Sequence, residues 1–212
     1  MQKMKVAAAF LSICLAASPV LSAAAQGRPG KERRHMDMTH PKTALLVVDI
    51  QNDYFTGGKL PLAGARDAEL EALKVVRKFR QEGWPVINIQ HEGTEPGLFA
   101  PGTEGQDIRP AMKPEAGEPV FTKHHVNCFI DTPLADYLRE HHIKRLVIVG
   151  MQTNVCVQGA VEGAKKHGVE TIVLSDATAA TSLEKRRDTL PVLEKEGAVV
   201  MTVQAFLAEL HK

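Results

Sequence analysis

Residues 146–157 read Leu146-Val147-Ile148-Val149-Gly150-Met151-Gln152-Thr153-Asn154-Val155-Cys156-Val157. An apolar β-rich run stops at a glycine and passes through a short polar turn into an amphipathic stretch, Val155 to His167. A strand apolar on both faces belongs in a sheet covered by helices on each side. The stretch therefore predicts an α/β interior, and it delivers a cysteine into the first turn of a helix. Unpaired N–H groups and the positive end of the macrodipole favour thiolate over thiol at that position, and a thiolate attacks carbonyls near neutral pH. The competing reading makes Cys156 a small buried hydrophobe, because free cysteine is among the most often buried residue types.

The same alternation extends along the chain from Thr43. Strands are predicted at Ala44 to Ile50, Pro85 to Gln90, Val120 to Thr122, Arg145 to Val149, Glu170 to Leu174 and Ala198 to Thr202. Helices are predicted at Ala65 to Gln81, Pro133 to His141, Val155 to His167, Glu184 to Glu196 and Gln204 to Leu210. Leu70, Leu73, Val76 and Phe79 carry the helical period of the first helix, which Gly83 stops, as Gly168 stops the third. Residues 92–118 are rich in Gly and Pro without periodicity, and a loop that long in a compact domain is functional or mobile. The sum is a three-layer α/β domain over residues 43–212, with a mostly parallel sheet of about six strands.

The first 25 residues fall outside that pattern. Lys3 and Lys5 precede an apolar stretch from Val6 to Leu21, and Ser22 to Ala25 supply small residues for cleavage, which reads as a secretory signal peptide. A periplasmic or secreted location follows. Cys14 does not make a lipoprotein site, because Ile13 stands before it where a small residue is required. Residues 26–42 read as a disordered lead-in. Removing residues 1–25 takes away two lysines and no acids, shifting the formal charge from +1 to −1. That balance gives no attraction to nucleic acid, nor to a membrane once the signal is cleaved. Of the three cysteines, Cys128 and Cys156 remain, and export would ordinarily pair them in a disulfide, in conflict with a catalytic thiol.

In open parallel sheets the ligand site lies beyond the carboxyl ends of the strands. The first strand ends there with Asp49, which either acts as a general base or caps a turn. Asp53, close by, reads as a loop residue bonding the turn from Phe55 to Gly58. The third strand ends in Lys123, whose ammonium would hold a neighbouring cysteine and aspartate in their charged forms. Taken alone, Lys123 reads as a solvated surface lysine.

These residues lie in three motifs, LLVVDIQNDYF from Leu45, FTKHHVNCFIDTPL from Phe121 and VIVGMQTNVCV from Val147. In order and spacing they resemble the isochorismatase-like cysteine hydrolase superfamily of nicotinamidases, carbamoylsarcosine amidases, ureidoacrylate amidohydrolases and biuret hydrolases. The resemblance implies a Rossmann-like α/β/α fold with a six-stranded sheet and a triad of Asp49, Lys123 and Cys156. It also implies a cis peptide between Met151 and Gln152, an oxyanion hole from the N–H groups of Gln152 and Cys156, and a homo-oligomer, dimer or tetramer. Phe129 is the leading candidate for the pocket wall, with Gln51, Phe55, His91 and Phe99 as further candidates. His91 has the competing role of tying a loop to the sheet.

The implied substrate is a small amide or ureide, cleaved with no cofactor. Nicotinamidases carry an Asp-x-His pair as metal ligands, whereas this chain reads Asn88-Ile89-Gln90-His91-Glu92, so no metal is expected. His124 and His125 are adjacent on an extended segment and point to opposite sides, which leaves them as loop histidines. Cys128 stands where the family commonly has alanine and makes an inactivating disulfide with Cys156 an open expectation. Gly159 replaces a frequent threonine. Two alternatives stay open: vinyl-ether hydrolysis of isochorismate, and a non-catalytic binding protein on the same fold.

Overall fold

In the computed structural model, which describes Asp37 and residues 42–210, strand β1 (Thr43–Val48) is buried along its whole length. Successive side chains of a strand point to opposite faces. Leu45 and Val47 accordingly join one hydrophobic cluster, while Ala44, Leu46 and Val48 join another. The strand is the spine of a sheet completed by β2 (Val86–His91), β3 (Val120–Lys123), β4 (Arg145–Met151), β5 (Glu170–Ala179) and β6 (Val199–Met201). The order is β3-β2-β1-β4-β5-β6 and every pair is parallel. The expected signal segment and lead-in lie outside the described residues, apart from Asp37 and Lys42. All elements belong to the unit formed by residues 34–212.

Five helices cover the sheet: α1 (Ala65–Gln81), α2 (Leu134–Glu140), α3 (Gln158–Lys166), α4 (Leu183–Glu196) and α5 (Val203–Leu210). Ala68, Ala72, Val76 and Phe79 of α1 pack with Val203 and Phe206 of α5 on one face. Leu134 and Leu138 of α2, Ala160, Val161 and Ala164 of α3, and Leu193 of α4 cover the other. The result is the three-layer α/β/α arrangement. Among the described residues no helix is long and apolar enough to cross a membrane.

Three features lie outside the pattern read in the sequence. Strand β5 runs to Ala179 rather than Leu174, because its register against β4 shifts between Ile148↔Val173 and Gly150↔Thr178. A bulge lets pairing resume beyond the polar Ser175-Asp176 step where the apolar run breaks. Helix α3 begins at Gln158, because Thr153–Val157 forms a π-helical turn that carries Cys156. Residues 92–118, read as functional or mobile, are tied to the turn after β1 by backbone bonds of Asn52 to Asp107, Asp53 to Gly105 and Arg109 to Ile50.

Chain order runs outward from β1 to β3 on one side and from β4 to β6 on the other, so the sheet reverses between β1 and β4. The carboxyl ends of the two strands at such a reversal are the usual ligand position in sheets of this kind. Gly150, paired with Val48, has φ 127, and a Cβ there would overlap the Val48 carbonyl oxygen. Glycine is what allows β4 to approach β1 this closely.

Candidate active site

Asp49 follows the last residue of β1 and adopts φ 48, a left-handed conformation that aspartate tolerates better than most side chains. Lys123 closes β3. Its ammonium lies 2.9 Å from Asp49 Oδ2, 3.2 Å from Cys156 Sγ, 2.7 Å from His91 Nδ1 and 3.1 Å from the His125 carbonyl oxygen. The Asp49 and Lys123 side chains have no solvent exposure, and Cys156 is 3% exposed. A buried lysine and a buried aspartate are rare unless paired, which disposes of Lys123 as a solvated surface residue. Three strand ends thus bring together the acid, the ammonium and the thiol.

The Asp49–Lys123 contact is one of charges. Among the described residues neither carboxylate oxygen of Asp49 takes part in a well-directed hydrogen bond, so both keep lone pairs for a proton. Burial raises the Asp49 carboxyl above the usual range, and the Lys123 ammonium pulls against it. Burial also pushes the Cys156 thiol up; the Asp49 charge adds to this, while Lys123 opposes it. For Lys123, burial disfavours the ammonium, but Asp49 and Cys156 outweigh that and hold its pKa above the ordinary value. Burial works against any help the helix start gives the thiolate, and Asp49, whose carboxylate lies within 4.8 Å of the sulfur, is the neighbouring base able to take its proton.

Around these three groups the structure sorts the candidate pocket residues. Gln51 is fully buried; its Nε2 donates to the backbone oxygens of His91 at 2.8 Å and Gln106 at 2.6 Å, while its Oε1 accepts from the His91 N–H. It locks the end of β2 to the 92–118 segment instead of offering its amide to a ligand. Phe55 is buried under the Arg109 guanidinium, 4.3 Å from its ring centroid. The Phe129 ring stacks on His167 at 5.0 Å, lies over Gly163 and shares a buried cluster with Cys156. Phe99 stays near the centre: its ring meets Tyr54 edge-on at 4.8 Å and His91 at 5.6 Å.

Tyr54, which the sequence reading passed over, and Asp53, read there as a turn residue, both belong to this neighbourhood. The Tyr54 hydroxyl accepts from Gln152 Nε2 at 3.3 Å, and burial together with charges at Cys156 and Asp49 holds it protonated. Its signal was its place inside the LLVVDIQNDYF motif. Asp53 reaches further than the turn assigned to it, accepting from Lys59 N at 3.0 Å and from Phe99 N at 2.7 Å. The Met151–Gln152 peptide bond is cis. Cys128 and Cys156 are both free thiols, and burial pushes the Cys128 pKa up to about 12.

Carboxylate, ring nitrogen and sulfur atoms of Asp49, His91 and Cys156 lie within 4.8 Å of one another, a donor set of metal-ligand type. They surround Lys123 Nζ, so the protein's own ammonium takes the position a cation would need. A metal ion there would face a fixed positive charge at contact distance. With Gln90 in place of a carboxylate ligand as well, the residues present do not fit a metal centre.

Residues 43–205 match the family model described as the isochorismatase domain. An uncharacterized isochorismatase family protein of Bacillus subtilis, YddQ, is 38% identical over 177 residues, which cover 78% of this chain and 98% of the relative. The ureidoacrylate amidohydrolase RutB of Methylorubrum extorquens is 33% identical, with 64% of this chain and 69% of the relative covered. Among solved structures, an isochorismatase-like hydrolase from Alkaliphilus metalliredigens superposes with a TM-score of 0.76 at 30% identity, covering 80% of this chain and 96% of that one.

Proposed function

The chain belongs to the isochorismatase domain family, and on that basis we propose that it cleaves a C–N bond of a small amide or ureide through a thioester on Cys156. It is a hydrolase of the amide-acting kind, in keeping with a ureidoacrylate amidohydrolase among its relatives. The observation that carries the reading is the Lys123 ammonium set between the Asp49 carboxylate and the Cys156 sulfur at the switch point of the sheet.

Asp49 takes the proton of the Cys156 thiol, and Lys123 stabilises the thiolate as it forms. The sulfur attacks the substrate carbonyl, and the resulting oxyanion is received by the N–H groups of Gln152 and Cys156. Such donors are typically worth about 3 to 4 kcal/mol each in transition-state stabilisation. The C–N bond breaks as Asp49 returns the proton to the departing amine or ammonia. Water, deprotonated by the same carboxylate, then hydrolyses the thioester and frees the thiol. Burial of Asp49 makes it a stronger base than a solvated carboxylate, which suits a thiol that rests protonated. Cys156→Ala assayed on a panel of small amides and ureides is expected to lose turnover, and undiminished release of amine or ammonia by that variant would refute the reading.

Two features of the wider molecule belong to the same proposal. The signal-like segment ahead of Gln26 directs the chain to the periplasm or medium, so the exported protein is expected to begin near Gln26 by N-terminal sequencing. The mature chain assembles as a dimer or tetramer, and light scattering at the monomer mass would reject this.

A further inference from the structure

We propose that His91 is a positioning residue for this site: a neutral imidazole whose Nδ1 accepts a proton of the Lys123 ammonium and aims that ammonium at Cys156. The inference rests on the hydrolase reading only for its consequence in turnover. Its geometry stands independently.

His91 and Lys123 are register partners at the ends of the parallel strands β2 and β3, so their side chains share one face of the sheet. That register brings Nζ to 2.7 Å from Nδ1, the shortest of the four contacts the ammonium makes. An ammonium has donors and no acceptor, so Nδ1 must be the unprotonated nitrogen and the ring proton sits on Nε2. The imidazole is fixed from its other side. Gln51 holds both the backbone N–H and the carbonyl of His91, and Phe99 lies against the ring.

The arrangement divides the labour around Lys123. Its three protons serve the His91 ring nitrogen, the His125 carbonyl and the Cys156 sulfur, while the Asp49 carboxylate meets its charge. A neutral acceptor anchors the ammonium without competing for its charge, which leaves the charge to the carboxylate and the nascent thiolate. A protonated imidazole would instead repel it. The charged or titratable groups facing His91 are Lys123 from β3, His124 and His125 from the segment after it, Asp49 after β1, and Cys156 from the turn after β4. Burial and the positive neighbours hold its pKa down at about 4, so the ring stays neutral across the working range.

Two measurements that use no amide substrate test this. In wild-type protein with isotope-labelled histidine, the two-bond nitrogen–proton spectrum is expected to show His91 as the neutral Nε2–H tautomer from pH 5.5 to 8, its signals assigned by their loss in His91→Asn. A proton on Nδ1, or titration near pH 6.5, would overturn the proposal. The second measurement is the pH profile of Cys156 alkylation by iodoacetamide, resolved from Cys128 by peptide mass mapping. His91→Phe, which removes the acceptor, is expected to slow alkylation at pH 7 at least tenfold and to move the midpoint upward by about one unit. His91→Asn, whose Oδ1 stands near the position of Nδ1, is expected to stay within about threefold of wild type. Equal profiles for all three proteins would also overturn it. Loss of amide turnover in Cys156→Ala is a separate result and bears on the hydrolase reading alone.

Discussion

Asp49 is buried, charged when acting as a base, and left-handed in its backbone. Asp49→Asn keeps a side chain that tolerates this conformation while removing the base. It is expected to lower kcat by about 10²- to 10⁴-fold, and to cost about 3 to 5 kcal/mol of stability by leaving the Lys123 ammonium unpaired. Lys123→Met should carry a similar cost for the converse reason. The double variant is expected to be more stable than the sum of the two losses implies, and urea denaturation of the four proteins gives the coupling directly. His91 makes a second prediction. Its pKa is about 4 in the fold against an ordinary 6.5. Below pH 6.5 the unfolded chain binds a proton that the folded chain refuses until about pH 4. The stability this group contributes is therefore present above pH 6.5 and lost as the pH falls toward 4. His91→Asn is expected to flatten the stability profile between those values, as denaturation at pH 7 and pH 4.5 would show.

The turn following β1 and the 92–118 segment behave as one unit. Asp53 receives Lys59 N and Phe99 N, Gln51 and Gln90 both donate to the Gln106 carbonyl, and Arg109 joins Glu69 of α1 at 3.1 Å. Gly105 leaves room for the Asp53 carboxylate, which a Cβ there would overlap. Asp53→Ala strands two backbone donors and is expected to cost about 1 to 3 kcal/mol. Because Phe99 is one of them and borders both His91 and Tyr54, the kinetic loss should fall mainly on KM, with kcat changed less; a loss confined to kcat would contradict this placement. Sequence reading located the segment and took it as functional or mobile. Its fastening depends on hydrogen bonds between residues some 40 to 55 positions apart, such as Gln51 with His91 and Gln106, and no local pattern announces these. The π-helical turn at Cys156 was equally hidden, since Thr153 to Val157 has the composition of an ordinary helix start.

Across the whole molecule, the sheet order explains why three residues far apart in sequence meet. The direction of winding reverses between β1 and β4, placing Asp49 and Cys156 just beyond the ends of two adjacent strands, and β2 places β3 with Lys123 on the same sheet edge. Six strands and five helices were legible from apolar runs and helical periods, because burial on both faces leaves a clear compositional trace. Asp49, Lys123 and Cys156 were legible as strand-end residues. What could not be read was that burial pushes the Cys156 thiol up, because desolvation is a property of the assembled layers and not of the turn. The central claim is that Cys156 forms the bond to substrate. Rapid acid quenching of wild-type protein with a turned-over amide, followed by mass mapping, is expected to show an acyl adduct on the peptide containing Cys156 and none in Cys156→Ala. Full turnover with no adduct on Cys156, or an adduct on another residue, would contradict the account.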